Sequence, residues 1–540
     1  MTDKTYKLAA PTPEWYDAKR AAEIIDGYNK GGGSGMSADE FLARSAVPAG
    51  TGGARDFSYI APDVPFYTAD NCVACMDCVN NCPDTAILGK VVTKAEMDKH
   101  VSSVKDADLK EYTAKQFAKT VKHYETYEKK KAKGEGTQDG AYFGIFVDPT
   151  KCKGCGECVE VCGEHEALKM IKKTPDILPT YFSMWDSLNK LPASPKEYIN
   201  PKLAVDYMLK PSNLLYVGGA GSCMGCGEAS TIRQMLAITA EQHGNNFGVV
   251  AATGCNTVYA STYPYNPYMV PWTCSLFENA PTDAMGIRAQ WDATGHADRP
   301  IWVIGGDGAM NDIGFQALSR LLCSGLNVKV FVLDTQVYSN TGGQASTATF
   351  IGQEAKMSVH GKVVKGKMER RKELAQIAMM HPNPYVAQTV GPMVNHFTKA
   401  IEGALAYHGP ALINVYTTCQ PEHGVADDRA AAQARLAVES RAFPLMIYDP
   451  TKGRTVRERL SLQGNPGLTR DWVHNKNKDG TEDITTFLTF AASEGRFKKH
   501  FDANGKPSSV LLQSEQERLD NWWLLQDLAG IKTIDREEGK

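Results

Sequence analysis

Ile301-Trp302-Val303-Ile304-Gly305-Gly306-Asp307-Gly308-Ala309-Met310-Asn311 begins as four apolar residues and passes directly into glycines around a single aspartate. The apolar run reads as a buried strand, and the glycine turn as its carboxyl end. Outward from it the pattern repeats. Further candidate strands are Leu214–Val217, Phe247–Ala252, Val328–Leu333, Tyr385–Val390 and Ala411–Tyr416. Amphipathic stretches lie between them. Gly314, Ala317, Leu318, Leu321 and Leu322 fall at helical spacing, as do Val394, Phe397, Ile401 and Leu405, before Gly409-Pro410 ends the second stripe. Strands alternating with helices predict an α/β unit with a doubly wound parallel sheet. Ligands of such sheets bind outside the carboxyl ends of the strands, so the residues that follow each strand carry the chemistry.

Those residues are Gly218–Glu228, Thr253-Gly254-Cys255-Asn256, Gly305–Asn311, Asp334–Gly343 and Thr417-Thr418-Cys419. A lone Gly-Asp-Gly is a common tight turn. Here Gly306-Asp307-Gly308 is answered at the end of the next strand by Thr335 and then Asn340, which is the spacing of a thiamine-diphosphate (ThDP) signature. The chemistry fits that reading. A diphosphate binds through Mg²⁺, which takes near-octahedral oxygen ligands, and a carboxylate, a side-chain oxygen and a backbone carbonyl supply them. Glycines flanking Asp307 let the backbone approach the anion, and a helix starting near Asn311 aims its N-terminus at it.

The 14 cysteines carry a second signal. Cys72, Cys75, Cys78 and Cys82 stand as C-x2-C-x2-C-x3-C, and the spacing returns at Cys152, Cys155, Cys158 and Cys162. Three thiolates at this spacing wrap one corner set of a cubane, and the fourth cysteine ligates the other cluster of the pair. One [4Fe–4S] cluster is therefore assigned to Cys72, Cys75, Cys78 and Cys162, and another to Cys152, Cys155, Cys158 and Cys82. Paired zinc knuckles or chance clustering are the bland alternatives, but zinc does not call for three evenly spaced thiols. Pro83 follows the first motif, whereas Gly163 follows the second. The long Lys- and Glu-rich insertion between the motifs reads as a solvated helical excursion, with docking of an acidic electron carrier as the alternative.

Cys223, Cys226, Cys255 and Cys419 all follow predicted strand ends beside Asp307. They read as isolated buried thiols or, preferably, as ligands of a third [4Fe–4S] cluster. Cys274 and Cys323 remain, the latter reading as core beside an apolar helix stripe.

These stretches together resemble the 2-oxoacid:ferredoxin oxidoreductases, most closely the ferredoxin and ThDP-binding portions of the pyruvate-type enzymes. Cys223-Met224-Gly225-Cys226-Gly227-Glu228, Ala252–Cys255, Gly306–Ala309 and Leu333–Ser346 carry the resemblance along with the two cysteine repeats and Cys419. It implies that Asp307, Thr335 and the Val337 carbonyl bind Mg²⁺. It puts Gly227, Gly306, Gly308, Ala309, Asn340 and Thr341 at the cofactor, with Asn340 and Glu228 as candidate catalytic residues. It further implies oxidative decarboxylation of a 2-oxoacid with coenzyme A, pyruvate being favoured over 2-oxoglutarate, with electrons passing through three clusters to ferredoxin or flavodoxin. The pyrimidine-binding and coenzyme A domains of that family do not fit into residues 1–65. The expectation is one subunit of a hetero-oligomer with two copies of each chain, the activating glutamate coming from the partner. A pure electron-transfer iron–sulfur subunit is the reading from another class.

A net charge of −3 argues against nucleic acid as a partner. The lack of a long apolar run or an export signal argues for a cytoplasmic rather than membrane protein. The expected organisation is an irregular segment over 1–65 and a two-cluster ferredoxin-like α+β domain over 66–172, with its helical insertion at about 90–140. A linker over 173–212, the ThDP, Mg²⁺ and third-cluster domain over 213–425 and a C-terminal arm over 426–540 follow. Lys362–Lys372 reads as a solvated basic loop, with coenzyme A phosphates as the alternative. Trp522-Trp523-Leu524-Leu525 reads as a packing patch on this chain's core or on a partner.

Overall fold

The computed structural model describes residues 18–43, 45–361, 365–476 and 479–532. The chain divides into two compact units. One comprises Met1–Gly225, Ile232–Asn245 and Tyr259–Pro271, the other Cys226–Thr231, Asn246–Val258 and Trp272–Lys540.

The second unit is built on eight strands: β1 (Gly248–Ala252), β2 (Trp272–Ser275), β3 (Ile301–Gly306), β4 (Lys329–Asp334), β5 (Tyr385–Val390), β6 (Ala411–Tyr416), β7 (Met446–Tyr448) and β8 (Leu460–Ser461). They lie in the order β8-β7-β5-β6-β4-β3-β1-β2. All pairings from β5 to β2 are parallel, and β7 and β8 add antiparallel at one edge. Strands β4, β5 and β6 are buried along their whole length, which is why they read as mostly apolar runs, with Gln388, Thr389 and Asn414 buried inside β5 and β6. Register sets the functional edge. Gly306 pairs with Leu333 and Asp334 with Tyr416, so Asp307, Thr335 and Thr417 leave the sheet side by side.

The helix Phe315–Cys323 buries Leu318, Leu321 and Leu322, and the helix Val394–Ala406 buries Phe397, Ala400, Ile401 and Ala404. The C-terminal helix Ser509–Leu528 buries Trp522 and Leu525 in this unit's own core. His396 is buried with its Nδ1 2.8 Å from Thr389 Oγ1, and burial, with Lys399 nearby, pulls its pKa down to about 4. The unfolded chain takes up a proton near pH 6.5, so between about 6.5 and about 4 it binds more protons than the folded state. Stability is therefore lost as pH falls through this window, at up to about 1.4 kcal/mol per unit from this group. Denaturant midpoints at pH 8 and pH 5 are expected to differ less in His396→Gln than in wild type. Equal differences would remove His396 from the account.

In the first unit the cysteine repeat becomes a structural repeat. Strands Asp63–Tyr67 and Leu168–Lys172 pair antiparallel, as do Ile87–Val92 and Tyr142–Val147, and a short helix follows each cysteine loop, Asp77–Asn81 and Glu157–Glu160. The loops share a backbone course. Ala74 and Met76 of the first are left-handed, and Gly154 and Gly156 occupy the equivalent places in the second. The insertion is helical over Lys94–Ser103, Ala107–Lys115 and Thr126–Ala132, but it also supplies a short strand, Phe117–Ala118, to the Tyr142–Val147 edge.

Several expectations are corrected. Leu214–Val217 is not a sheet strand: Tyr216 makes only an isolated bridge to Tyr268, and a 3-10 turn at Pro211–Asn213 breaks the run before it. The sheet edge is formed instead by Trp272–Ser275, too short and too exposed to read as an apolar run. Consequently Cys223 and Cys226 precede the helix Gly227–His243 rather than following a strand. The helix after Asp307 starts at Gly308, three residues early, as a wide turn. Cys323 is exposed, because it is one residue past Leu322 on the helix and turns off the buried face. The linker carries the helix Leu178–Lys190, which buries Tyr181, Met184 and Leu188, and the N-terminal segment carries the helix Ala18–Asn29.

Candidate cofactor site and cluster ligands

Asp307 is 1% exposed and sits at the mouth of β3. Its Oδ1 accepts from the Thr335 amide at 3.2 Å and from Thr335 Oγ1 at 3.1 Å, and its Oδ2 accepts from Ser346 Oγ at 2.5 Å. None of these partners carries positive charge. Burial, and then the charge of Asp334, drives its pKa well above the usual carboxylate range. A buried carboxylate with only neutral donors suits a cation that this chain does not itself supply. Thr335 Oγ1 also lies 3.1 Å from the Val337 carbonyl, so the three oxygens expected to hold Mg²⁺ converge. Gly308 is required here, since a Cβ would fall 2.4 Å from the Tyr338 ring.

In front of these groups is an open cavity whose wall includes Gly306, Asp307, Gly308, Ala309, Thr335, Val337, Asn340 and Thr341. Glu228 and Cys255 line the same space. Asn340 is exposed, whereas Glu228, in the first turn of its helix, is buried. The cavity and its ring of glycine, hydroxyl and carboxylate groups fit a diphosphate cofactor with its cation.

Three of the four remaining candidate cluster ligands lie in this unit. Cys255 follows β1 and Cys419 follows β6. Gly227 draws Cys226 toward Cys419: its amide donates to the Thr418 carbonyl at 3.2 Å, and a Cβ there would meet Thr418 N at 2.7 Å. Burial pushes the Cys419 thiol up to about 11, and Glu228 adds to the shift. Cys223 falls in the other unit.

The eight thiols of the cysteine repeat lie in the first unit with Cys223. Cys82, Cys152, Cys155 and Cys158 line one cavity. Burial pushes the Cys78 thiol well above its usual range, and the nearby Cys72, Cys75 and Cys162 raise it further. Cys82 thus lies with the second trio, and Cys162 is near enough to the first to act on Cys78. Two buried ionic groups flank the second set. Lys153 pairs with Asp84 at 2.7 Å, and Arg233 donates to the carbonyls of Val79, at 2.8 Å, and Cys82.

Distant segments supply residues that sequence reading did not find. His423 Nε2 lies 2.8 Å from the Thr335 carbonyl, and Arg496 holds the side chain of Gln336. The basic stretch is not a solvated loop. Arg371 is buried and pairs with Asp334 at 2.7 Å, and Lys367 donates to the carbonyls of Thr347 and Thr349. Arg370 remains exposed, and Lys362 lies outside the described residues. Among the described residues no helix is long and apolar enough to cross a membrane.

Known proteins are similar to this chain in sequence. The model of the thiamine pyrophosphate enzyme C-terminal TPP binding domain matches residues 252–415, and that of the 4Fe-4S binding domain matches residues 145–164. A pyruvate synthase subunit PorB from Methanocaldococcus jannaschii is 34% identical over 47% of this chain and 89% of its own length. The chain belongs to the 2-oxoacid:ferredoxin oxidoreductase family. A pyruvate-flavodoxin oxidoreductase from Rhodospirillum rubrum is 28% identical over 89% of this chain and 42% of its own length. A pyruvate:ferredoxin oxidoreductase from Moorella thermoacetica is 28% identical over 72% of this chain and 37% of its own. The chain thus spans about two fifths of the length of these longer members of the family. It carries the thiamine pyrophosphate-binding and iron–sulfur portions that the family's chemistry needs.

Proposed function

We propose that the chain is the ThDP- and cluster-bearing subunit of an enzyme that oxidatively decarboxylates pyruvate with coenzyme A. The observation that carries this reading is the shared cavity, lined by Asp307, Thr335 and Val337 together with Glu228 and Cys255. Asp307, Thr335 Oγ1 and the Val337 oxygen would hold Mg²⁺ against the diphosphate. ThDP, once bound, supplies the electron sink that decarboxylation of a 2-oxoacid requires. Asn340 and Glu228 would contact cofactor or substrate, and Gly308 and Ala309 would leave room for the diphosphate. Cys223, Cys226, Cys255 and Cys419 would hold a cluster beside this cavity, as first acceptor. The two ferredoxin-type clusters, on Cys72, Cys75, Cys78 and Cys162 and on Cys152, Cys155, Cys158 and Cys82, would then carry electrons to ferredoxin or flavodoxin.

A partner chain would bring the pyrimidine-binding glutamate and the coenzyme A site, in a hetero-oligomer with two copies of each subunit. The reaction is reversible in principle. The test is an assay of viologen reduction by the purified complex with a panel of 2-oxoacids, with and without coenzyme A. Coenzyme A-dependent reduction with pyruvate is expected. A preference for 2-oxoglutarate would move the substrate within the family. Failure of every 2-oxoacid in a preparation that contains ThDP would refute the reading, and absence of ThDP binding would favour a pure electron-transfer subunit.

A further inference from the structure

Gln336 lies between the two residues whose oxygens would meet Mg²⁺, and its backbone is left-handed, with φ of 57°. It is fully buried, and no part of it is idle. Its amide and Nε2 donate to Asp334 Oδ1 at 3.2 and 2.9 Å, and Nε2 also donates to the Asp334 carbonyl at 2.7 Å. Its carbonyl accepts from Thr349 Oγ1 at 2.6 Å and from Gln353 Nε2 at 3.1 Å. Its Oε1 accepts from both Nη1 and Nη2 of Arg496, each at 3.1 Å. Glutamine is an unusual choice for such a backbone, so its side chain must hold what glycine would leave loose.

Arg496 is itself anchored. Its Nε donates to Glu494 Oε2 at 2.5 Å, and Glu494 Oε1 accepts from Tyr416 Oη at 3.0 Å and from Gln433 Nε2 at 2.9 Å. Phe350, Phe490 and Phe497 surround the guanidinium, with ring centroids 5.5 to 5.9 Å from its central carbon. Arg496 comes from 160 residues further along the chain than Gln336, and neither it nor Glu494 lines the cavity.

The geometry points to Arg496 as a positioning residue that, through Gln336, presents the Thr335 and Val337 oxygens to Mg²⁺. The inference rests on the Mg²⁺ assignment made above. A forked, charge-assisted bond from a planar guanidinium fixes the orientation of the amide as well as its distance, which a lysine ammonium cannot reproduce. With both the nitrogen and the oxygen of its side-chain amide held, and its backbone amide and carbonyl bonded too, Gln336 gives the peptides on either side one course, and the two oxygens are preorganised.

The purified complex, stripped of ThDP and Mg²⁺, is titrated with ThDP at several Mg²⁺ concentrations by calorimetry. Arg496→Met is expected to weaken Mg²⁺-dependent ThDP binding about tenfold or more, with iron content and near-ultraviolet circular dichroism unchanged. Arg496→Lys should recover little of it. Gln336→Gly accepts the left-handed backbone but breaks the clamp, so it should lose a similar factor. The double variant should then be no worse than either single one, since both break the same linkage. Gln336→Gly leaves the Glu494–Arg496 pair intact and carries the test if Arg496→Met does not fold. Wild-type affinity in either folded variant, or losses that multiply in the double variant, would overturn the clamp. A wild-type complex that binds ThDP without any dependence on Mg²⁺ would instead overturn the metal assignment, and the clamp with it.

Discussion

Asp307→Asn is expected to lower the affinity of the complex for Mg²⁺ and ThDP by about 100-fold or more and to abolish substrate-dependent dye reduction, while leaving the fold intact. The direction follows from the environment of the carboxylate. Asp307 is buried among neutral donors, and burial together with Asp334 disfavours its ionised form. Asparagine keeps one oxygen to accept from Thr335 and removes the charge that the empty site must bury. Stability without cofactor should therefore be equal or higher in the variant, because an unpaired buried charge costs more than a neutral amide. Affinity should collapse, because Mg²⁺ loses its one anionic protein ligand, and even the outer partners of such ligands contribute 10- to 100-fold. Calorimetric titration beside a thermal melt of the stripped complex checks both halves. Affinity within threefold of wild type would remove Asp307 from the metal site.

Cys419→Ala is expected to lower iron from about twelve to about eight atoms per chain, as loss of one cubane of three requires. Coenzyme A-dependent dye reduction should be lost with it, while ThDP still binds. The separation is possible because Cys419 and the Mg²⁺ oxygens come from different strand ends. Cys419 follows β6 and Thr335 follows β4. His423 links them through backbone atoms that the substitution leaves in place, accepting from the Cys419 amide at 3.4 Å and meeting the Thr335 carbonyl at 2.8 Å; Ser339, which hydrogen-bonds the Cys419 thiol and lies 2.7 Å from Thr335 Oγ1, keeps its Thr335 contact. Iron analysis and ThDP titration of one preparation read the two sites independently. Twelve iron atoms in the variant would exclude Cys419 as a ligand.

What was legible in the sequence is what is local in it. β5 and β6 coincide with their predicted limits and β1, β3 and β4 differ only at their ends, because strands buried on both faces carry mostly apolar runs. The ThDP-type pattern was legible because Asp307 and Thr335 end neighbouring strands, so sheet register alone joins them. The cysteine spacings were legible because each trio is held by one short loop. The remaining elements depend on distant chain. Arg496 reaches Gln336 across 160 residues and His423 reaches Thr335 across 88, and neither has a local pattern to mark it. Arg371 sat in a charge run that looks solvated, yet it pairs with Asp334 behind the site. The edge strand Trp272–Ser275 failed for the opposite reason, since exposure on an edge leaves no apolar run to find.

The most direct measurement is low-temperature electron paramagnetic resonance of the wild-type complex, frozen after mixing with pyruvate and coenzyme A. The spins are compared with those of the same sample reduced chemically. The account predicts that pyruvate and coenzyme A reduce [4Fe–4S] clusters of this chain, and that stripping ThDP and Mg²⁺ abolishes the signal until both are restored. Clusters that stay oxidised with every 2-oxoacid, in a sample holding bound ThDP and about twelve iron atoms per chain, would contradict it.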